Sequence, residues 1–351
     1  RCELFFIHLH GQSRAYRLNT NRLTLLFYNL PFRAYGYWKL NAFMKKIIKT
    51  ILCVFAIVLT VAFPALISKS VKDGIALCLY TLVPALLPFM LIVNIMQKHD
   101  LCSQISYILK PILKIFFKIS DNGCFAVIIG FICGYPMGAK TISDLYIHKK
   151  ISFSEAAYLV TFCNNCSLSF LLNYIFLNYL QNSFIKNTAF INPALLCVIL
   201  VYCPAFIVGT ANRFLLKPDI TVNNSKAMPF TGNPILLSVK SLTTLSVYVI
   251  CFNIMSRLLL TLPINATFKS ILCGVSEITS GTAIIFENIS GNTVFCTYLI
   301  LLFTVFGGIS ITMQSLSQIC HSKLKVYYLV GKLESSVVFT LLFFILYLVK
   351  N

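Results

Sequence analysis

An all-α integral membrane fold is predicted: a polytopic helix bundle of about seven spans plus two re-entrant hairpins, arranged as an inverted repeat. Three observations predict it. Of 351 residues, 58% are hydrophobic and only 11% are charged. A water-soluble domain of that length cannot hide so much apolar surface, so lipid must be the solvent for most of it. Apolar stretches of about 20 residues, long enough to span a bilayer, recur along the chain. Finally, four polar or glycine-rich interruptions fall in two matching pairs. GYPMGAK (Gly134–Lys140) is followed by CNNCS (Cys163–Ser167), and SEITSG (Ser276–Gly281) by FGGIS (Phe306–Ser310). From Gly134 to Asn164 is 30 residues, and from Glu277 to Gly307 is again 30. Corresponding breaks in two halves of a membrane chain point to a transporter's binding site.

The elements follow in order. Residues 1–43 hold five of the seven arginines, whereas beyond residue 43 lysine outnumbers arginine by 21 to 2. Met44-Lys45-Lys46 before an apolar run is read as a native start, so 1–43 is expected to be a non-native or disordered extension. The membrane domain then occupies 44–351. Spans are read at 47–67 and 74–96, and Ile105–Ile119 places Lys110, Lys114 and Lys118 on one face of an amphipathic interfacial helix. The apolar segment 123–146 is interrupted near its centre and is read as a re-entrant hairpin. Spans at 155–181 and 190–212 close a first half, 74–212, and a cytoplasmic loop covers 213–233. The second half, 234–350, repeats the pattern: a span at 234–261, a hairpin at 267–290, and spans at 293–318 and 325–349.

Loop charge orients this layout. With Met44 on the cytoplasmic side, the cytoplasmic loops receive 14 cationic residues and the far side 6, in the sense of the positive-inside rule. The first hairpin then enters from the cytoplasm and the second from outside, which makes the repeat inverted. The net charge of +19 is spread between apolar spans rather than massed on a face, so it suits an anionic leaflet and not nucleic acid. Most of the 14 cysteines stand singly in apolar spans, where a thiol packs as a small apolar group. Cys163 and Cys166 have CxxC spacing, but no second pair or nearby histidine supports a metal or redox site. No cofactor is expected. No catalytic constellation stands at useful spacing, so an enzyme is not expected either.

Chemistry concentrates at the breaks. Gly134 and Gly138 permit unusual backbone, and Pro136 favours a helix start, so helix is expected to resume near Met137. Tyr135 lies between them. A helix N-terminus at that depth offers N–H groups to an anion, and Lys140 adds a full charge, with Asp144 as the alternative partner that would make it structural. Asn164, Asn165 and Ser167 supply amides and a hydroxyl, for substrate or for interhelical bonding. Glu277, near the centre of an apolar segment, must be protonated, paired or close to water. Lys140 is its expected partner, and Glu277 and Asp144 are the expected coupling or gating groups. Thr279, Ser280, Gly307, Gly308, Ser310 and Gln314 complete the expected substrate-binding set.

From Met44 onwards the chain resembles the sporulation integral membrane protein YlbJ family, whose members carry the nucleoside-recognition "Gate" domain. The likeness rests on VPALLPF (Val83–Phe89), GYPMGAKTISDLY (Gly134–Tyr146), FCNN (Phe162–Asn165), EITSG (Glu277–Gly281) and FGGIS with Gln314. Family members usually have proline near Leu168 and often histidine near Thr312. The first departure weakens the case for an unwound third span, and the second removes a proton carrier. The resemblance implies a role in endospore formation, in the cell membrane or the mother-cell-derived outer forespore membrane. It also implies a permease for a small anion, dipicolinate, moved toward the spore. Expected partners are that anion and the lipid bilayer; a homo-oligomer is left open. Two alternatives stand beside this expectation: a nucleoside or ion permease of the Gate type, and a non-transporting scaffold for spore assembly.

Overall fold

The computed structural model describes residues 42–181, 192–220, 228–289 and 291–350, and every regular element among them is helical. Of the expected extension, 1–41 lie outside the described residues. The chain divides into two units, Arg1–Leu59 and Thr60–Asn351. The described part of the first lies in one apolar helix, α1 (Ala42–Ala62).

The second unit begins with α2 (Pro64–Leu77), a wider turn of i→i+5 helix at Cys78–Leu82, and α3 (Val83–Lys98) with Pro88 inside it. After the short α4 (Cys102–Ile105) comes α5 (Lys110–Phe117), bent 96° from α6 (Asp121–Ile132). A helix is thus present where the amphipathic one was read, but it is shorter than expected. Lys110 and Lys114 both reach the Asp121 carboxylate at 2.7 Å, while Ile112 and Ile115 stay exposed.

Helix α6 packs on α7 (Met137–Ile147) across a four-residue break. Each has 11–12 residues, or roughly 17 Å at 1.5 Å per residue, about half of the hydrocarbon thickness. Helices α12 (Ala266–Ser276) and α13 (Ile278–Ile289) form a second such pair around Glu277. Both pairs close through glycines. A Cβ on Gly138 would lie 3.0 Å from the Gly130 Cα and collide with the Cys163 carbonyl oxygen; one on Gly281 would collide with the Gly274 Cα.

Each hairpin is followed by a broken helix and then a long one. In the first half these are α8 (Phe153–Leu159), a non-helical stretch ending at Ser167, the wide helix α9 (Phe170–Leu180), and α10 (Pro193–Leu216). In the second half they are α14 (Thr293–Phe306), α15 (Gly308–Gln318) and α16 (Ser322–Lys350). Helix α11 (Pro234–Leu260) precedes the second hairpin. Asparagine starts several helices: Asn192, Asn233, Asn265 and Asn292 each accept a backbone N–H within the first turn at 2.8–3.0 Å, which satisfies donors that helix geometry leaves free.

One expectation is corrected. The third span unwinds although Leu168 supplies no proline, because its free backbone groups find buried partners. The Asn165 carbonyl accepts from the Tyr135 N–H at 2.5 Å, and the Cys166 carbonyl from the Tyr202 hydroxyl at 2.7 Å. Irregular backbone survives in a membrane protein where protein supplies those bonds. The expected seven spans are matched in part: among the described residues four helices are long and apolar enough to cross a membrane, rising to at most six if the bent stretches 49–82 and 110–132 each count as one. Pro64, at the first position of α2, ends the stretch read as 47–67, since proline cannot donate to the preceding turn and biases its predecessor away from helix.

Candidate functional site

The four breaks meet. In the first half, Ala139 N donates to Asn164 Oδ1 at 3.1 Å, and a Cβ on Gly134 (φ +75°) would strike the Ser167 backbone nitrogen. In the second, Gly308 lies against the carbonyls of Gly274 and Val275, where a Cβ would come within 3.3 and 3.1 Å. Across the halves, Asn164 Nδ2 donates to Ser315 Oγ at 2.8 Å and Tyr174 donates from its hydroxyl to the Thr279 carbonyl at 2.8 Å.

A cavity of about 70 Å³ lies where they meet. Three interrupted segments contribute, Tyr135 from the first, Ser167 from the second and Glu277 and Thr279 from the third, and Ile311 and Gln314 come from the helix that the fourth begins. Leu77, Thr81, Leu82, Leu86, Phe170, Val249 and Ile278 complete the wall. The Tyr135 hydroxyl is buried and bonds to no nitrogen or oxygen among the described residues; the Cys166 thiol is its polar neighbour. Since one water occupies about 30 Å³ of liquid and ligand pockets run to roughly 300–1,000 Å³, this volume holds a few waters and not an organic ring.

Glu277 is 2% exposed and caps α13. Its carboxylate accepts from Thr279 N at 2.9 Å, Ser280 N at 2.7 Å and the Ser280 hydroxyl at 2.8 Å. The positive end of the helix and three donors offset its charge. Lys140 is not its partner. That lysine is 7% exposed, donates to Asp144 at 2.6 Å and to Asn94 of α3 at 2.9 Å, and does not line the cavity. The pairing is local because Asp144 stands one turn along the same helix. Glu277→Ser should keep the capping role of that side chain: serine caps a helix well, so thermal stability should fall by less than about 1 kcal/mol.

The other expected residues divide into two groups. Asn164 and Asn165 are buried and consumed by structural bonds, Asn165 Nδ2 reaching the Phe162 carbonyl at 2.8 Å. Pro136 precedes α7 in a cis peptide with Tyr135, and its carbonyl accepts from Lys140 N at 3.1 Å. Gly307 (φ +92°) ends α14 in the left-handed conformation, Gly308 (φ +66°) opens α15, and Ser310 Oγ accepts from Gln314 Nε2 at 3.1 Å. Cys163 and Cys166 are buried free thiols. Of the expected set, Tyr135, Ser167, Glu277, Thr279 and Gln314 line the cavity.

Sequence reasoning missed Lys332. It lies within the apolar span 325–349, and that position was the signal: an ionisable residue inside a membrane helix marks function by default. Its ammonium is 5.4 Å from the centroid of the Tyr135 ring and donates to the Val305 carbonyl, in the last turn of α14, at 3.0 Å. No carboxylate lies within ion-pair distance of it among the described residues. The carboxylates on its own helix and on α8 are engaged elsewhere: Glu334 accepts from Asn212 Nδ2 and Glu155 from Ser120 N, each at 2.7 Å.

The Gate family, described as nucleoside recognition, matches residues 79–178, a stretch that holds the first hairpin and the unwound segment. The sporulation integral membrane protein YlbJ of Bacillus subtilis (strain 168) is 21% identical over 224 residues, 57% of this chain and 53% of that protein. The match thus spans about half the length of the curated relative. No solved structure matches. The resemblance read from the motifs is borne out: residues 79–178 match the Gate family, and the all-helical chain is similar to YlbJ.

Proposed function

We propose that the protein is a permease for a small anionic molecule, built as an inverted repeat whose two hairpins and two broken helices enclose the substrate. The convergence of three of the breaks, and of the helix that follows the fourth, on one cavity carries this reading. Lys332, with no carboxylate partner among the described residues, favours a negatively charged substrate over a cation. Glu277 stands in the wall, where its carboxylate opposes an anion until a movement of the second hairpin removes that opposition; it is the coupling or gating group. Asn164, Asn165 and the Lys140–Asp144 pair hold the breaks in place. Substrate entry requires the cavity to widen severalfold, by motion of the hairpins against the long helices.

Dipicolinate, an aromatic dicarboxylate, is the proposed substrate, moved in the outer forespore membrane of a spore-forming bacterium. A second reading, a nucleoside permease, is favoured by the description of the matching family. Vesicles containing the full chain decide between them. Labelled dipicolinate should accumulate, and unlabelled dicarboxylates, not nucleosides, should compete. Competition by nucleosides alone would establish the second reading, and no uptake of either would defeat both.

A further inference from the structure

Away from the central cavity, the molecule has a built concentration of positive charge. Helix α5 ends at Phe117 with Lys118 in the left-handed conformation (φ +47°), and α10 ends at Leu216 with Lys217 in the same conformation (φ +44°). Arg213 joins the two ends: its Nη1 donates to the carbonyls of Ile115 at 2.5 Å and Phe116 at 2.9 Å. Lys118, Arg213 and Lys217, with Phe214 and Pro218, enclose an open pocket of about 340 Å³. Among the described residues none of these three cations pairs with a carboxylate, whereas Lys110 and Lys114 are both bound to Asp121.

The surroundings identify the anion's source. Ile112, Ile115 and Phe214 are 54%, 70% and 68% exposed, and α5 lies across the axis of α6 as a helix in the membrane interface does. A ligand here meets cations at one end and apolar side chains at the other. We propose that this pocket binds the phosphate headgroup of an anionic phospholipid, with the acyl chains along the exposed side chains of α5 and α10. Three cations fixed by two helix ends make a local site, distinct from diffuse attraction between scattered loops and a charged leaflet. Occupancy would tie the amphipathic helix that precedes the first hairpin to the end of the first half's last helix.

The test uses the purified full chain, titrated with phosphatidylglycerol, with phosphatidylcholine and with inorganic phosphate, bound lipid being counted by native mass spectrometry. Phosphatidylglycerol should be retained and phosphatidylcholine should not, and millimolar phosphate should fail to displace it. The double variant Lys118→Asn, Lys217→Asn keeps residues that tolerate left-handed backbone and should lower phosphatidylglycerol affinity roughly tenfold or more. Its thermal stability in phosphatidylcholine should match the parent, which shows that the fold is intact; a destabilised double variant is replaced by the two single ones, each expected to lose part of the affinity. Equal retention of both lipids, undiminished affinity in the variants, or displacement by free phosphate would each overturn the proposal.

Discussion

Replacing Lys332 by methionine is expected to lower anion uptake by on the order of tenfold, the scale of a desolvated cation–ring contact of roughly 1–2 kcal/mol. The ammonium lies behind the Tyr135 ring, which lines the cavity. Its other support is one carbonyl in the last turn of α14. A buried charge so sparsely paired is expensive to hold, so methionine, of similar length and apolar, should leave the protein folded. The orphaned Val305 carbonyl costs about 1–3 kcal/mol, against which the relieved burial of the charge acts. Lys332→Arg should retain part of the uptake. Vesicle assays of the two variants, with protein level as the control, check this. If Lys332→Met transports the anion at the parental rate, the lysine has no part in substrate recognition. Equal loss of uptake for a neutral nucleoside would make its role structural.

Gly138→Ala is expected to give a large loss of stability in the first hairpin. The added carbon meets backbone on two sides, the Cys163 carbonyl and the Gly130 Cα, so neither neighbour can turn aside as a side chain would. Overpacking of this kind costs about 1–3 kcal/mol even where side chains yield, and the upper end or more applies here. Displacing Cys163 also moves Asn164, whose amide holds Ala139 and Ser315. Thermal unfolding in detergent should show a clear drop for Gly138→Ala. Gly291→Ala, where a Cβ meets nothing within 4 Å, should leave the midpoint unchanged. Equal midpoints for the two variants would refute the close approach.

Much of the fold was legible along the chain. The hairpins at 123–146 and 267–290 appear as α6–α7 and α12–α13, and helix resumes at Met137. The long helices at 193–216, 234–260 and 322–350 fall close to the apolar stretches read there. Local chemistry decides these features, because unbroken apolar runs form spans while glycine, proline and clustered polar residues interrupt them. Less legible was the third span, whose unwinding depends on the Tyr135 N–H and the Tyr202 hydroxyl from other elements. A proline would have marked that break locally, whereas hydrogen bonds between elements distant in sequence leave no local trace.

The candidate site divides in the same way. From the sequence alone came the paired breaks, their equal spacing, and an acid near the centre of the second hairpin. Only the tertiary structure decided which charge meets which. Lys140 and Asp144 are one helical turn apart and bind each other, which leaves Glu277 to the N-terminus of α13. Lys332, 197 residues beyond Tyr135 in sequence, stands against its ring. Hydropathy and spacing fix where a membrane chain breaks, since those follow from each segment's own contact with lipid. Charge partners follow from how the broken segments pack against one another, and that packing made a cavity from three of the interruptions and the helix that follows the fourth.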